Sequence, residues 1–383
     1  MNLRKFMICV AAAFLSVAAH ATEKKDTAHV KVKFAYDLNF DMQFDNREFY
    51  KSAFTNSMTI FSARLTPAFG VSFQQNDGTR HKLMAGIDVM KEFGNSQASN
   101  WKIFREVSLY YTLQKKMGKT DFELDAGVFP RRFSEGSYSP AFISDSLRFY
   151  DNNLEGLLLK FRRPKAYYEI GCDWMGMYDP NARERFMIFS SGEGSVLPFL
   201  SLGYAAYLYH FSISGKASGV VDNVLGNAYM RFDLGNITGL QTLSFRLGWI
   251  QAMQNDRLFV GKYVFPGGGE FVTEIRNWNV GIRNDLYVGT DLMPYYNRID
   301  DAGDKYGNLL YRGSPFYRVY DDGTQGIGLT DRLEVYYAPK IGNPYLNLKV
   351  AALFYFNVRG YCGCRQMVSL NFNLQELLAR RRR

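Results

Sequence analysis

The segment from Val30 to Phe44 alternates between apolar and polar residues. Every even position is apolar or aromatic, and every odd position except Ala35 is charged or an amide. Because the side chains of a strand point alternately to its two faces, this segment has one apolar and one polar face. Its fifteen residues exceed the roughly 9–11 that a tilted strand needs to cross a bilayer. The pattern predicts a membrane-spanning strand.

The same alternation recurs along the chain. It is found at 82–91, 122–128, 227–234, 242–249 and 346–356. Soluble β-sandwiches also alternate, but they seldom set charged and amide side chains against aromatic ones in strands of this length. The recurrence predicts an all-β fold, a transmembrane antiparallel β-barrel.

Residues 1–21 have the layout of a secretory signal peptide. A basic start (Arg4 and Lys5) precedes an apolar core, and Ala19-His20-Ala21 is an A-x-A cleavage site. The expected mature chain therefore begins at Thr22 and is exported. Aromatic residues make up 16% of the chain although its mean hydropathy is −0.23, as is typical of alternating strands with aromatic girdles. The basic residues are scattered, so no nucleic-acid partner is expected.

The connections between strands alternate in length. The odd-numbered ones are expected at 45–57, 92–100, 131–152, 176–185, 213–225, 252–270, 297–325 and 357–364. The even-numbered, shorter ones are expected at 75–81, 114–121, 163–166, 191–197, 235–240, 286–289 and 339–344, several of them with Gly, Asn or Pro turn residues. Fifteen connections predict about sixteen strands, and 14–18 remain compatible. The barrel is expected over residues 22–374, followed by a solvated basic tail at 375–383.

The alternating segment 367–374 resembles the C-terminal β-signal of outer-membrane proteins, and the whole layout resembles that of bacterial porins. This resemblance implies a Gram-negative outer membrane, with lipid and lipopolysaccharide around the barrel and the barrel-assembly machinery as a partner of 367–374. It implies a channel for passive diffusion of small hydrophilic solutes, with no cofactor. A homotrimer is one oligomeric state that it allows.

In porins the third external loop commonly folds into the lumen, and here that loop is 131–152. The expected pore constriction consists of Arg131, Arg132, Glu135, Asp145 and Arg148, with arginines facing carboxylates and imposing a transverse field. Arginine suits this role because it stays charged and its planar fork recognises carboxylate or phosphate. The alternative is that these residues are ordinary surface-loop charges.

The polar faces of the strands are expected to line the lumen. They carry both signs of charge, and the expected lumen residues are Lys31, Lys33, Asp37, Asp41, Asp88, Glu123, Asp125, Arg231, Asp233, Arg246, Arg332, Glu334 and Lys349. A barrel of about sixteen strands is wide enough for an aqueous channel. The mixture of charges predicts a general pore rather than one strongly selective for cations or anions.

Two other functions are compatible with the sequence. His210 and Ser212 form a His-x-Ser motif that is similar to that of outer-membrane phospholipases and lipid A deacylases, with Asn223 or Asn227 to orient the histidine. The motif is followed by Ile213-Ser214-Gly215, which departs from those enzymes. The other alternative is a structural or adhesive barrel with a plugged lumen.

No metal site is expected. Cys172, Cys362 and Cys364 do not have zinc spacing, since a Cys-x-Cys pair offers only two ligands. They are expected to be incidental strand and loop cysteines. The acidic residues Asp300, Asp301 and Asp304 lack a defined calcium spacing and are expected to belong to a solvated loop.

Overall fold

The computed structural model describes residues 32–50, 57–95, 103–320, 326–343 and 345–374. In this part of the chain sixteen strands form one closed antiparallel barrel, in which β1 pairs with both β2 and β16. The predicted fold class and strand number are confirmed. The expected signal peptide (1–21), Lys31 and the basic tail (375–383) lie outside the described residues.

The strands are joined in sequence order around the barrel. Their bounds are β1 (Lys33–Phe49), β2 (Met58–Gln74), β3 (Arg80–Glu92), β4 (Phe104–Met117), β5 (Thr120–Pro130), β6 (Asn153–Arg163), β7 (Ala166–Gly176), β8 (Arg185–Leu197), β9 (Leu200–Phe211), β10 (Val221–Asp233), β11 (Thr242–Asp256), β12 (Gly267–Asn277), β13 (Val280–Gly289), β14 (Gly328–Tyr337), β15 (Leu346–Asn357) and β16 (Gly360–Asn373). Three short helices lie in connections: α1 (Asp145–Tyr150), α2 (Gly235–Thr238) and α3 (Gly307–Leu310). Single 3₁₀ turns occur at Arg131–Phe133 and Pro315–Tyr317.

The outer face of the barrel is apolar. Phe34 is 70% exposed, and Leu109 and Trp249 are each 57% exposed. On the opposite face of β1, Asp37 and Asp45 are buried inside the barrel. An apolar exterior on a closed barrel, which leaves no open sheet edge, satisfies the requirements of a bilayer. The barrel is therefore of the outer-membrane type.

Within the described ranges, no helix has the length and apolarity needed to cross a membrane.

Three connections differ from those expected. Residues 191–197 belong to β8, and the turn is at Pro198-Phe199. Residues 286–289 belong to β13, and the turn is at Trp278-Asn279, both of which have positive φ. This is the backbone of a tight type I′ turn, which the sequence hides because tryptophan rarely occupies it.

The expected long connection 357–364 is a two-residue turn, Val358-Arg359. The side chain of Asn357 accepts a hydrogen bond from the Arg359 amide (2.8 Å), and Gly360 adopts a φ of 96°. An Asx turn followed by a left-handed glycine reverses the chain at once. Cys362 and Cys364 therefore lie on β16 rather than in a loop.

Two long connections fold into the barrel. We name residues 131–152 L3 and residues 290–327 L7, of which 321–325 lie outside the described residues. Their backbones meet inside: the Ser314 amide donates to the Pro140 carbonyl (2.8 Å), and the Ser144 amide donates to the Arg312 carbonyl (3.0 Å). L3 and L7 together form an internal layer against the barrel wall.

Candidate functional site

Helix α1 of L3 is fixed at both ends. Ser144 caps it by accepting a hydrogen bond from the Leu147 amide (3.1 Å), the usual role of serine before a first helical turn. At the other end, Arg64 of β2 donates to the carbonyls of Phe149 and Tyr150. Arg64 is itself held by Asp88, with 3.1 Å between Nε and Oδ1. The helix is thereby positioned against β2.

The first residues of L3 bind to the wall rather than to one another. Arg131 is buried and pairs with Asp173 of β7 (2.9 Å). Arg132 pairs with Asp37 of β1 (2.5 Å), and Glu135 pairs with a wall arginine of β6, Arg162. Arg131 also pairs with a carboxylate of the loop itself, Asp151 (3.1 Å). The expected constriction of loop arginines facing loop carboxylates stays a prediction.

Asp145 and Arg148 differ in their surroundings. Asp145 Oδ2 lies 3.3 Å from Arg332 Nη1 and 3.7 Å from Arg365 Nη1. Burial tends to raise the pKa of Asp145, but the two wall arginines and Arg148 outweigh it, so its pKa lies below the usual value. Arg148 has an exposed side chain, and within the described ranges no carboxylate lies within salt-bridge distance of it. L3 therefore presents one tethered carboxylate and one unpaired guanidinium.

L7 covers an apolar part of the inner wall. Tyr207, Tyr209, Phe211, Leu225 and Ile250 are buried beneath it, on faces that point into the barrel. Hydrogen bonds fix the contact, and they join Tyr209 Oη to the Leu309 carbonyl (2.7 Å), Tyr311 Oη to Gln254 (2.8 Å) and Tyr317 Oη to Glu270 (2.8 Å). The β9–β12 side of the lumen is thus filled with a packed tyrosine-rich core.

The opposite side of the lumen contains a cavity of about 630 Å³. Its wall combines charged, amide and aromatic side chains of β1, β2, β12–β16 and L3, among them Asn39, Asp41, Arg64, Arg132, Tyr138, Asp145, Arg148, Glu274, Arg283, Arg332, Glu334, Tyr336, Lys349 and Asn371. A second pocket, of about 10 Å³, shares Gln43, Asp145 and Phe149 with this cavity. This is about the room of one water molecule.

The expected lumen residues that the structure describes lie on inward-facing strand positions, and most of them are paired. Lys160 lies between Glu123 (2.6 Å) and Asp125 (3.1 Å). The other pairs are Asp88–Arg64, Asp37–Arg132, Arg246–Glu270, Arg332–Asp285, Lys349–Glu334 and Arg231–Glu193. Asp41 accepts hydrogen bonds from the amides of Asn39 and Asn371. Lys33 and Asp233 are exposed at strand ends.

Several residues that organise this side of the lumen were missed from the sequence. Asp285 holds both Arg332 (2.5 Å) and Arg283 (2.9 Å), and Arg365 pairs with Asp45 (2.8 Å). Asp285 adjoins the segment expected as the turn 286–289, and Arg365 follows the expected connection 357–364. Once the bounds of β13 and β16 are known, the alternation of side chains along each strand places Asp285 and Arg365 on the face that points into the barrel.

His210 lies on the outer face of β9, where its ring stacks on Phe186 with 4.7 Å between centroids. No hydrogen bond joins it to Ser212, whose amide donates to the Glu184 carbonyl (2.9 Å). Asn223 is opposite Tyr209 in the β9–β10 register and faces the lumen, where it donates to the Leu310 carbonyl. The structure therefore does not bring Asn223 to His210. Asn227 also points into the barrel, so it does not reach His210 either. The residue opposite His210 is Asp222.

Among the described residues, no group of three or more His, Cys, Asp or Glu side chains is arranged to hold a metal ion.

A model of the lipid A 3'-O-deacylase-type family matches residues 23–210, just under half of the chain. No curated protein matches the chain. Among solved structures, OccK3 (OpdO) of Pseudomonas aeruginosa has a TM-score of 0.50 and 11% sequence identity, covering 89% of this chain and 96% of that chain.

OprD of the same organism, an outer-membrane protein, has a TM-score of 0.48 and 12% identity, covering 91% of this chain and 96% of that chain. A mutant of the Rh. blastica porin has a TM-score of 0.43 and 11% identity, covering 89% of this chain and all of that one. At such identities a likeness concerns the fold. By its own closed barrel and its likeness to OccK3, this chain has the fold of a porin-like outer-membrane β-barrel.

Proposed function

We propose that this protein is a channel for passive diffusion of small hydrophilic solutes across the outer membrane. The observation that carries the proposal is the polar cavity of about 630 Å³ on the β1 and β14–β16 side of the lumen. Its charged and amide wall replaces part of the hydration of a polar solute, which an apolar wall would not do. The tyrosine-rich core under L7 confines the route to this side.

Helix α1 forms the constriction of the proposed route. Asp145 and Phe149 of α1 and Gln43 of β1 line both the cavity and the much smaller pocket. Solutes therefore pass where α1 approaches β1 and β16, and small displacements of α1 set the conductance. Arg131 and Glu135 fix the loop to the wall, whereas Asp145 and Arg148 face the solute.

Planar-bilayer recording with the purified full chain tests the channel. Ion current well above that of a protein-free bilayer is expected. Its absence at all applied voltages would overturn the proposal and would favour the structural or adhesive barrel, for which the packed core under L7 is the physical basis.

A lipid-acting hydrolase is the second candidate, because the lipid A 3'-O-deacylase-type match extends to His210. His210 lies on the lipid-facing side with a carboxylate, Asp222, opposite it on β10. Both oxygens of that carboxylate are engaged by Arg257 (2.7 and 2.8 Å). The test is acyl release from lipid A or phospholipid vesicles. Release that is lost in His210→Ala and retained in His81→Ala, a histidine on β3, would establish the hydrolase.

A further inference from the structure

The cationic side chains of the cavity differ in whether they form a salt bridge with a carboxylate. Six line its wall: Arg64, Arg132, Arg148, Arg283, Arg332 and Lys349. Five of these have a carboxylate within salt-bridge distance, from 2.5 Å for Arg132, Arg332 and Lys349 to 3.1 Å for Arg64. Within the described part of the chain, Arg148 alone among the six has none.

The surroundings of Arg148 leave its charge uncompensated. It lies on α1, where its backbone amide donates to the Ser144 carbonyl (3.1 Å), so its position is fixed while its side chain is exposed. Asp145 attracts it, but the nearest partners of that carboxylate are Arg332 and Arg365. Arg131 and Arg283 are near enough to repel it. An anion placed here would relieve that repulsion.

A guanidinium with free donors recognises one chemistry above others. Its planar fork binds carboxylate or phosphate oxygens through two parallel hydrogen bonds, which are about twice as strong as neutral ones. Asp41, which forms no ion pair with any residue that the structure describes, already accepts hydrogen bonds from two asparagine amides. The cavity therefore offers an unmet donor set and no comparable unmet acceptor.

We propose that Arg148 is the anion-binding residue of this cavity, and that the channel favours small organic anions with a carboxylate or phosphate group. The inference rests on the proposed channel function. The sequence predicts a general pore because the lumen carries both signs of charge. Paired charges cancel locally, however, so the single unpaired guanidinium decides the sign of the electric field in the cavity. A volume of about 630 Å³ is within the ~300–1,000 Å³ of small-molecule sites.

Zero-current potentials in a KCl gradient test the sign of the field. The wild-type channel is expected to prefer chloride, and Arg148→Gln is expected to lower the chloride-to-potassium permeability ratio, because charged side chains in a pore set its ion selectivity. Arg257→Gln is the matched control, because Arg257 is exposed and paired with Asp222 on the outer face. It should leave the ratio unchanged.

Solute uptake into proteoliposomes tests the ligand. Gluconate and glucose 6-phosphate are expected to enter faster than neutral sorbitol through the wild-type channel, and this advantage should disappear in Arg148→Gln. A faster rate for gluconate alone or for the phosphate alone assigns the group that is recognised. If the wild type conducts ions but Arg148→Gln leaves both permeability ratio and uptake unchanged, the anion site is refuted while the channel stands. If the wild type does not conduct, the channel itself fails.

Discussion

Asp145 and Arg332 join L3 to the barrel wall, with 3.3 Å between the carboxylate Oδ2 and the guanidinium Nη1. Arg332 is fixed from behind by Asp285 at 2.5 Å. Asp145 belongs to helix α1, which contributes to the lining of both the large cavity and the small pocket. A pair between a fixed wall residue and a loop residue therefore determines how closely α1 approaches β14 and β16.

The Asp145→Asn substitution is expected to loosen α1 without unfolding the barrel. Asparagine keeps the size of the side chain but loses the attraction to Arg332 and Arg365. Exposed ion pairs contribute up to ~1 kcal/mol, so displaced positions of α1 should become up to about fivefold more populated. Single-channel recordings should show larger and more variable current.

Asp77→Asn is the control for this prediction, because it removes an exposed ion pair to Lys115 at a short turn and should leave the current unchanged. Equal effects of both variants would contradict the tether.

The pH dependence of this tether has a definite sign. The pKa of Asp145 is lowered in the folded protein because the attraction of Arg332 and Arg365 outweighs the effect of burial. The stabilisation from the charged carboxylate is thus complete above its ordinary pKa of about 4 and is lost as pH falls through the lower folded value. Current variability should stay constant from pH 7 to about 4 and should rise only below that. A rise between pH 7 and 5 would show that another group controls α1.

The docking of L7 against the barrel wall is expected to weaken as the pH rises, whereas the Asp145 tether weakens as the pH falls. Burial raises the pKa of Asp291, in the first residues of L7, to about 6, and hydrogen bonding to the Met293 amide and the charge of Arg318 offset it only in part. Its protonated form favours docking of L7, so this contribution is complete below about pH 4 and is lost as pH rises through about 6.

Asp291→Asn should remove this dependence. The amide oxygen can still accept from Met293, and no charge needs to be buried. Hydrogen exchange of residues 290–320, corrected for intrinsic rates, should be up to about a hundredfold slower than wild type at pH 7, since the pKa of Asp291 rises from about 4 to about 6, and similar to it at pH 4. Asp301→Asn, at an exposed carboxylate that accepts from the Ser218 amide, provides the comparison, and slower exchange there at pH 7 would argue against Asp291 as the cause.

Lys160 should be the most sensitive charge of the wall. It is buried between Glu123 and Asp125 and also donates to the Phe133 carbonyl (2.8 Å). Lys160→Met leaves the buried Asp125 without an ion pair and leaves Glu123 with Arg162 alone (3.1 Å). Loss of one partner of a buried pair costs about 3–5 kcal/mol. Urea unfolding, followed by heat-modifiable gel mobility, should report this loss. Adding Glu123→Gln and Asp125→Asn to Lys160→Met should restore much of the stability; failure to do so would mean that packing dominates.

The sequence predicts the barrel well because the alternation of apolar and polar residues recurs in many strands. In β1 the alternation from Phe34 to Phe44 assigns each face directly, and the outward apolar parity agrees with the structure. The sequence is weaker for β8 and β9, because Tyr207, Tyr209 and Phe211 face inward while the outward residues are also apolar. No polar face is visible there, since L7 rather than water covers it.

The candidate site is harder to predict for a different reason. Charges on L3 and on the strands can be listed from the sequence, but their pairing depends on which wall residue each loop residue meets. Arg131 and Arg148 have the same side chain, yet one is buried against Asp173 and the other is unpaired. That distinction comes from the path of L3, which no local pattern encodes.

The contact between L3 and L7 gives the last prediction. Gly313 lies against the Ala141 carbonyl, so that a Cβ at position 313 would overlap the carbonyl oxygen. The flanking hydrogen bonds, Ser314 to Pro140 and Ser144 to Arg312, hold the two backbones together at this point. Gly313→Ala must therefore separate the loops, and α1 should move with residue 144, which caps it. We expect an altered single-channel conductance with an intact barrel, seen as unchanged heat-modifiable mobility. Gly342→Ala is the control because a Cβ there meets no atom within 4 Å and the residue is not in the left-handed region. Conductance changes in Gly342→Ala but not in Gly313→Ala would refute the role of this contact.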